Sequence, residues 1–203
     1  MRMSEHYFSQ NPSSPHSERS VWISALGEKL LFTTDAGVFS RDGLDSGTRI
    51  LLEALPPLSG RVLDLGCGWG AVGCLLAKKY PEAEFLLTDI NQRAVELSQR
   101  NLQENGLKNA AAIQGDGFSS VTGAFRWILT NPPIRAGKAV IYSLFSQARS
   151  FLEPEGALVI VIRKQQGAKS AENYLRELYS QVECLDKSGG YWVLMAGCGK
   201  CDD

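Results

Sequence analysis

Asp64, Asp89, Asp116 and Asn131 are the polar residues whose types and placement could do chemistry. Each closes a short apolar run: Val62 to Leu65 around Asp64, Glu84 to Thr88, Ala110 to Gln114, and Trp127 to Thr130. Runs of this length predict buried strands, with the polar residues at their C-terminal tips. A carboxylate in such a place is costly unless it is paired or meets a cation. Asn131 is followed by Pro132, Pro133 and Ile134. Proline has no N–H, so Asn-Pro-Pro presents acceptors without adjacent backbone donors. That suits an exocyclic amine or an amide nitrogen, whose two hydrogens it can hold while the lone pair is aimed at an electrophile. Positioned groups of this kind act where charge develops during a reaction. No strong base is needed before attack, because the alkylated nitrogen becomes acidic. The plainer readings are a rigid turn at Asn131 to Ile134 and an ordinary Asp-Gly turn at Asp116-Gly117.

The elements that must position these residues alternate. Helices are predicted over Ala71 to Lys79, from an Asn91 cap to about Asn105, over Ala139 to Phe151, and over Ser170 to Tyr179. Ala157 to Ile162 reads as a further apolar strand. Val182 to Leu185 and Tyr191 to Ala196 read as a closing antiparallel pair around the turn-rich Asp186 to Gly190. Strand–helix alternation implies an α/β fold with a mostly parallel sheet covered on both faces. Ligands of such sheets bind beyond the C-terminal strand ends, where the acids and Asn131 converge.

Before the first of these strands, Met1 to Ser20 reads as a polar arm with Tyr7 and Phe8 as anchors. Val21 to Thr34 suggests a hairpin turning at Leu26-Gly27. Gly37 to Gly47 is glycine-rich yet contains Phe39 and Leu44, and is either a cofactor lid or a surface connection. Asp45 or Ser46 can cap a helix carrying Ile50, Leu51, Ala54 and Leu55, which ends at Pro56-Pro57. The expected division is residues 1–57 as arm, hairpin and lid, 58–198 as core, and 199–203 as tail.

The 203 residues and a formal net charge of −1 suit one domain and argue against a general nucleic-acid binder. No run of eighteen apolar residues and no signal-peptide pattern is present, so a cytoplasmic location is expected and no membrane partner. The five cysteines are scattered, which makes a disulfide framework improbable. Cys198-x-x-Cys201 lacks a second pair with which to hold a metal, so no metal site is expected.

The glycine turn Gly66, Gly68, Gly70 follows Asp64 directly and opens the first of the helices. Glycines let the backbone approach a ligand, and free N–H groups of a first helical turn can meet its polar groups. Gly66-x-Gly68-x-x-Ala71 fits a dinucleotide fingerprint. Preceded by Asp64, Gly66-x-Gly68-x-Gly70 also resembles motif I of class I S-adenosylmethionine-dependent methyltransferases. A cationic methyl donor would suit Asp64, whereas a pyrophosphate would be repelled by it. Asp89 stands at about the distance, roughly 20 residues beyond the turn, of the acid that grips ribose hydroxyls.

D-L-G-C-G-W-G, Asp89, G-D-G-F and N-P-P-I in this order are similar to class I methyltransferases acting on planar nitrogen. G-V-F-S-R-D-G-L-D-S-G and N-P-P-I-R-A-G-K resemble more narrowly the RsmC-type ribosomal RNA guanine-N2 methyltransferases, from about His6 to Cys198. The resemblance implies a Rossmann-like fold with a seven-stranded sheet, an antiparallel C-terminal strand and an N-terminal hairpin. It implies S-adenosylmethionine at Asp64, Gly66, Cys67, Gly68 and Gly70, with Asp89 and Ile90 at the ribose. Asp116 and Gly117 would meet the adenine, with Phe118 or a neighbour lining the ring pocket, and Phe39 and Ser40 would lie in the lid. It implies a catalytic Asn131, Pro132, Pro133, Ile134 segment, with Asn131 also beside the cofactor. Ribosomal RNA or the small ribosomal subunit becomes the expected substrate, with Arg135, Lys138, Arg163, Lys164 and Lys169 near its phosphates. The oligomeric state stays open and is compatible with a monomer.

This sequence departs from the resemblance in two ways. Longer members carry an additional N-terminal methyltransferase-like half with no counterpart here, and Ile134 stands where many relatives have an aromatic residue. Adenine and protein glutamine remain open as targets, since Asn-Pro-Pro serves any planar amine or amide. A nicotinamide-dependent oxidoreductase and a non-catalytic RNA-binding module are the competing classes.

Overall fold

The computed structural model describes residues 15–197. Tyr7, Phe8, Cys198 and Cys201 lie outside the described residues.

A seven-stranded sheet forms the centre. In chain order its strands are β3 (Arg61–Leu65), β4 (Glu84–Asp89), β5 (Ala110–Gln114), β6 (Phe125–Thr130), β7 (Leu152–Arg163), β8 (Gln181–Ser188) and β9 (Tyr191–Gly197). Their order across the sheet is β5-β4-β3-β6-β7-β9-β8. Pairings from β5 through β7 are parallel, and β9 runs antiparallel between β7 and β8. The chain reverses direction across the sheet between β3 and β6, and such a switch point opens a crevice at the strand ends.

Period-two alternation assigns each strand residue to a layer. Val62, Val159 and Val161 face one apolar cluster, while Leu63, Leu65, Leu158, Ile160 and Ile162 face the other. The first layer holds α1 (Ser46–Ala54), α2 (Ala71–Lys79) and α3 (Gln92–Glu104). The second holds α4 (Lys138–Ala148) and α5 (Ala168–Leu178). A separate antiparallel hairpin, β1 (Arg19–Ala25) and β2 (Glu28–Thr34), turns at Leu26-Gly27 and buries Ile23, Leu30 and Phe32 in the first layer.

Some boundaries differ from the sequence expectation. β7 begins at Leu152 because Pro154-Glu155-Gly156, which reads as a turn, is absorbed as an irregularity in the pairing with β6. Glu155 takes a positive φ of 63°, and a Cβ at Gly156 would lie 2.8 Å from the Phe125 carbonyl. β8 likewise runs to Ser188 through a register shift between Cys184 and Asp186. α4 stops at Ala148 and tightens into a 3-10 turn, Arg149–Phe151.

Candidate active site

The strand β3, the glycine turn and α2 form one unit. Gly66 and Cys67 both donate their N–H groups to the Thr88 carbonyl, at 2.8 and 2.9 Å. Gly68 N–H donates to Asp89 Oδ2 at 2.8 Å, Gly70 N–H to the Cys67 carbonyl at 3.0 Å, and Gly73 N–H to Asp64 Oδ2 at 3.0 Å. Of the first helical turn, where the sequence predicts free donors, Gly73 is therefore a correction, and the Gly66, Cys67, Gly68 and Gly70 amides ahead of it are spent as well. A loop that must close onto the neighbouring strand spends its N–H groups on that strand. What the turn offers instead is shape. Gly66 and Gly68 have φ of +77° and +56°, and a Cβ built on either meets nothing within 4 Å. Gly73 serves packing: a Cβ there would lie 2.5 Å from Leu87 Cγ, so α2 can rest on β4 only without a side chain.

A cavity of about 400 Å³ opens beyond these strand ends, within the range of small-molecule sites. Asp64, Gly66, Cys67, Gly68, Asp89, Ile90, Asp116 and Gly117 line it, as do Asn131, Pro132 and Pro133. Asp64 is 4% exposed, and burial raises its carboxyl to about 7, with the neighbouring Asp89 adding to the rise. Burial also raises Asp89, against the opposing hydrogen bonds from the Asn91, Gly68 and Ile90 amides. A buried and a half-buried carboxyl at the ends of neighbouring strands are what a bound cation would relieve. Thr88 Oγ1, on the same strand end, is buried without a hydrogen-bond partner.

The Cys67 thiol lies 3.5 Å from the Ser98 hydroxyl and is pushed up by burial, so it brings no charge to the cavity. Asp116 is exposed at the rim and donates its N–H to Ser119 Oγ. Of Phe118 or a neighbour, the two alternatives expected at the ring pocket, Phe118 is not at the cavity but stacks on Phe151, centroids 4.6 Å apart, in the second core layer. Its neighbour Gly117 does line the cavity, beside Leu144 of α4. A turn reverses which face a side chain meets, and the apolar ring went to the core.

Asn131 approaches the same cavity from β6. Its Nδ2 donates to Thr48 Oγ1 at 3.1 Å and, at 3.4 Å, to Asp45 Oδ1. Asp45 is the cap of α1, accepting from the Gly47 and Thr48 amides. Pro133 begins a 3-10 turn, Ile134–Ala136, in which its carbonyl accepts from Ala136 N–H at 2.8 Å. That turn carries Ile134 out of the cavity lining and onto the second core layer, correcting its expected place at the reacting group.

The segment expected as lid or connection lines the cavity with Val38, Phe39, Ser40, Gly43 and Leu44. It is pinned at several points: Trp69 Nε1 donates to the Phe39 carbonyl at 3.0 Å, Asn91 Nδ2 to Gly37 at 3.0 Å, and Arg93 to Ala36 at 2.6 Å. Ser40 holds a positive φ of 52° within a turn closed by its bonds to Gly43. Trp69 was unremarked between the glycines, yet it is 3% exposed and packs edge-on against Phe32 of the hairpin, centroids 5.0 Å apart. An aromatic inside a glycine turn is the signal that could have marked it. Thr48, Thr88 and Leu144 carried no sequence signal.

The expected phosphate ligands are exposed but do not line the cavity. Lys138 Nζ donates to Ser170 Oγ and lies over the Tyr142 ring; Arg163 Nε donates to Tyr191 OH at 2.9 Å. Lys164 follows Arg163 at the end of β7, and Lys169 is paired with Glu172 at 2.8 Å. Arg135 stands in the turn after Pro133.

The sheet order with its one reversed strand, the glycine turn and the strand-end acids define a class I S-adenosylmethionine-dependent methyltransferase. The chain belongs to the methyltransferase small domain family, whose model matches residues 29–195. It is 43% identical over 199 residues to the Bacillus subtilis protein YbxB, described as uncharacterized, covering 96% of this chain and 98% of that protein. It is 35% identical to ribosomal RNA small subunit methyltransferase C of Vibrio vulnificus, covering 88% of this chain but 52% of the relative. The chain thus spans about half the length of that relative. The Thermus thermophilus 16S rRNA N2 G1207 methyltransferase (RsmC), solved in complex with AdoMet and guanosine, superposes with a TM-score of 0.81 at 31% identity. That match covers 91% of this chain and 51% of that one. S-adenosylmethionine is the cofactor of the family. Among the described residues, no helix is long and apolar enough to cross a membrane.

Proposed function

We propose that this protein methylates the exocyclic N2 amine of a guanine in small-subunit ribosomal RNA. The observation that carries the reading is that one cavity joins the acids at β3 and β4 to Asn131 at the end of β6. The choice of guanine and of ribosomal RNA is supported by the relatives named for that substrate.

The residues present fit the donor. The unpartnered Thr88 hydroxyl, the Cβ-free space at Gly66 and Gly68, and the buried Asp64 and half-buried Asp89 carboxyls suit a cationic ligand rich in hydroxyls. Asp89 already accepts from the Gly68 and Asn91 amides, with the Ile90 amide as a third donor, and its remaining acceptor site suits a ribose hydroxyl. Asp64 with Gly66, Cys67 and Gly68 would hold the methionine end, Asp89 and Ile90 the ribose, and Asp116 with Gly117 the adenine; Gly70, expected with them, lies outside the cavity lining and abuts Ser98. Phe39 and Ser40 would cover the donor from the lid. When bound, S-adenosylmethionine supplies an electrophilic methyl group.

The chain's own part in the chemistry is orientation. Asn131 Oδ1 and the carbonyls of the proline segment accept the two amine hydrogens, which turns the nitrogen lone pair toward the donor. As nitrogen becomes positive, the same acceptors face the growing charge. The amine proton then leaves to water, because no protein base is required for so acidic a group. The target guanine must be unpaired or flipped out to reach the cavity. Arg135, Lys138, Arg163 and Lys164 would meet the phosphates around it.

The test is incubation with labelled donor and small ribosomal subunits from cells lacking the protein, followed by mass mapping of the labelled fragment. N2-methylguanine is expected. Label in adenine or in a protein glutamine, with none in guanine, would overturn the substrate while leaving methyl transfer standing.

A further inference from the structure

We propose that Thr48 and Asp45 are positioning residues that fix which end of the Asn131 amide faces the target. The inference rests on the role given to Asn131 above. An amide side chain has two ends of similar shape and opposite hydrogen-bonding character. Only the carbonyl end can accept from an amine; the NH2 end would repel it. The identity of the end in the cavity is therefore a catalytic variable.

The polarity is set by a chain of bonds that starts at a carboxylate. Asp45 accepts from Gly47 N–H at 3.0 Å, from Thr48 N–H at 3.2 Å and from the Thr48 hydroxyl. A carboxylate accepts only, so the single Thr48 hydroxyl proton is committed to it. Thr48 Oγ1 is left with lone pairs toward Asn131. Both groups facing Asn131 from α1 are then acceptors, Thr48 Oγ1 at 3.1 Å and Asp45 Oδ1 at 3.4 Å. The NH2 end is the end that can face them, and Oδ1 is left for the cavity. A flipped amide would set its carbonyl oxygen against a hydroxyl oxygen without a free proton and against a carboxylate. Water does not relieve that conflict easily, since Thr48 is 7% exposed.

The first turn of α1 is itself held in place by the last strand, on the same face of the sheet. A Cβ at Gly47 would lie 2.8 Å from Tyr191 Cε1, so the β9 ring packs directly on the backbone that carries the cap. Arg163 Nε donates to the hydroxyl of that ring. The orientation of Asn131 is thus controlled by a segment continuous with the lid and buttressed by the last strand.

The test uses the full chain with ¹⁵N-labelled side-chain amides, the Asn131 pair being assigned by its loss in Asn131→Ala. Thr48→Val should shift that pair and raise its hydrogen exchange at least tenfold, and Thr48→Ser should restore it. An Asn131 signal unmoved by Thr48→Val would overturn the proposal whether or not the substrate is correct. On undermethylated small subunits, Thr48→Val should lower kcat at least tenfold with donor Kd changed less than twofold, and Thr48→Ser should recover most of it. In an Asn131→Ala background, Thr48→Val should add less than a twofold loss. Additive losses, a loss seen in donor Kd and not in kcat, or no rescue by serine would each overturn it. If Thr48→Val fails to fold, Asp45→Asn keeps a cap residue and should move the Asn131 pair in the same direction. Wild-type protein that transfers no label to subunits would defeat the guanine reading, and the amide signals would then decide the positioning role alone.

Discussion

The two ends of the cavity are built differently. The part of the donor end proposed for the methionine and ribose is one continuous piece of chain, from β3 through the glycine turn into α2, joined to the tip of β4. Its polar groups satisfy one another over short distances: Asp64 with Gly73, Asp89 with Gly68 and Asn91. The target end is assembled from distant segments. Asn131 is oriented by residues 83 and 86 positions away, on a helix that follows the lid. The donor end is therefore rigid by local construction, whereas the target end depends on how the N-terminal segment docks. Damage to the first should appear as lost binding or lost stability, and damage to the second as lost turnover.

The sharpest break of that comparison is Asn131→Ala. It removes the amine-orienting acceptor, and by analogy with loss of one transition-state hydrogen-bonding group turnover should fall about 10²–10³-fold. Donor affinity by calorimetry should stay near normal; a loss of affinity instead would merge the two ends into one. Asp89→Ala is the counterpart at the donor end. Charged hydrogen bonds contribute about 1.5–3 kcal/mol, so donor binding should weaken at least tenfold. Because Asp89 also holds two backbone amides, a melting curve should show a loss of stability that Asn131→Ala does not share.

Gly73→Ala tests whether the donor end is set by packing. A Cβ 2.5 Å from Leu87 Cγ must push α2 away from β4, which should cost about 1–3 kcal/mol in chemical denaturation. A neutral result would show that α2 can shift without disturbing the sheet.

The smallest effect is a pH dependence. Asp64 titrates at about 7 in the free protein, and a cationic donor favours its ionised form. Binding should release a proton below pH 7, so affinity should rise toward neutrality and level off above it. Calorimetry in buffers of different ionisation enthalpy should detect that proton at pH 6 and not at pH 8. The stability sign is opposite. A carboxyl raised on folding stabilises most below its ordinary value near 3.9, and that contribution is lost as pH rises through about 7. Donor-free protein should therefore lose stability over that range, and saturating donor should flatten the loss.

Local pattern determined much of this protein. Apolar runs ending at or just before Asp64, Asp89, Asp116 and Asn131 were enough to place the strands, their parallel pairing and the end at which the cavity opens. Strand–turn–helix units carry their own signals within ten or so residues, in glycines, caps and alternating burial. Tertiary structure alone decided which faces the side chains beyond the strand ends would meet. Phe118 and Ile134 stand beside site residues in sequence, but both lie within tight turns, and burying an apolar side chain outweighed keeping it at the cavity. The donors of the glycine turn went to the Thr88 carbonyl and the Asp89 carboxylate because a closed loop must satisfy its backbone, and that demand comes from the adjacent strand. Thr48 and Trp69 acquired their places at the site only when α1 and the hairpin docked on the sheet. Contacts made between residues tens of positions apart leave no local pattern, because their geometry exists only once the intervening chain has folded.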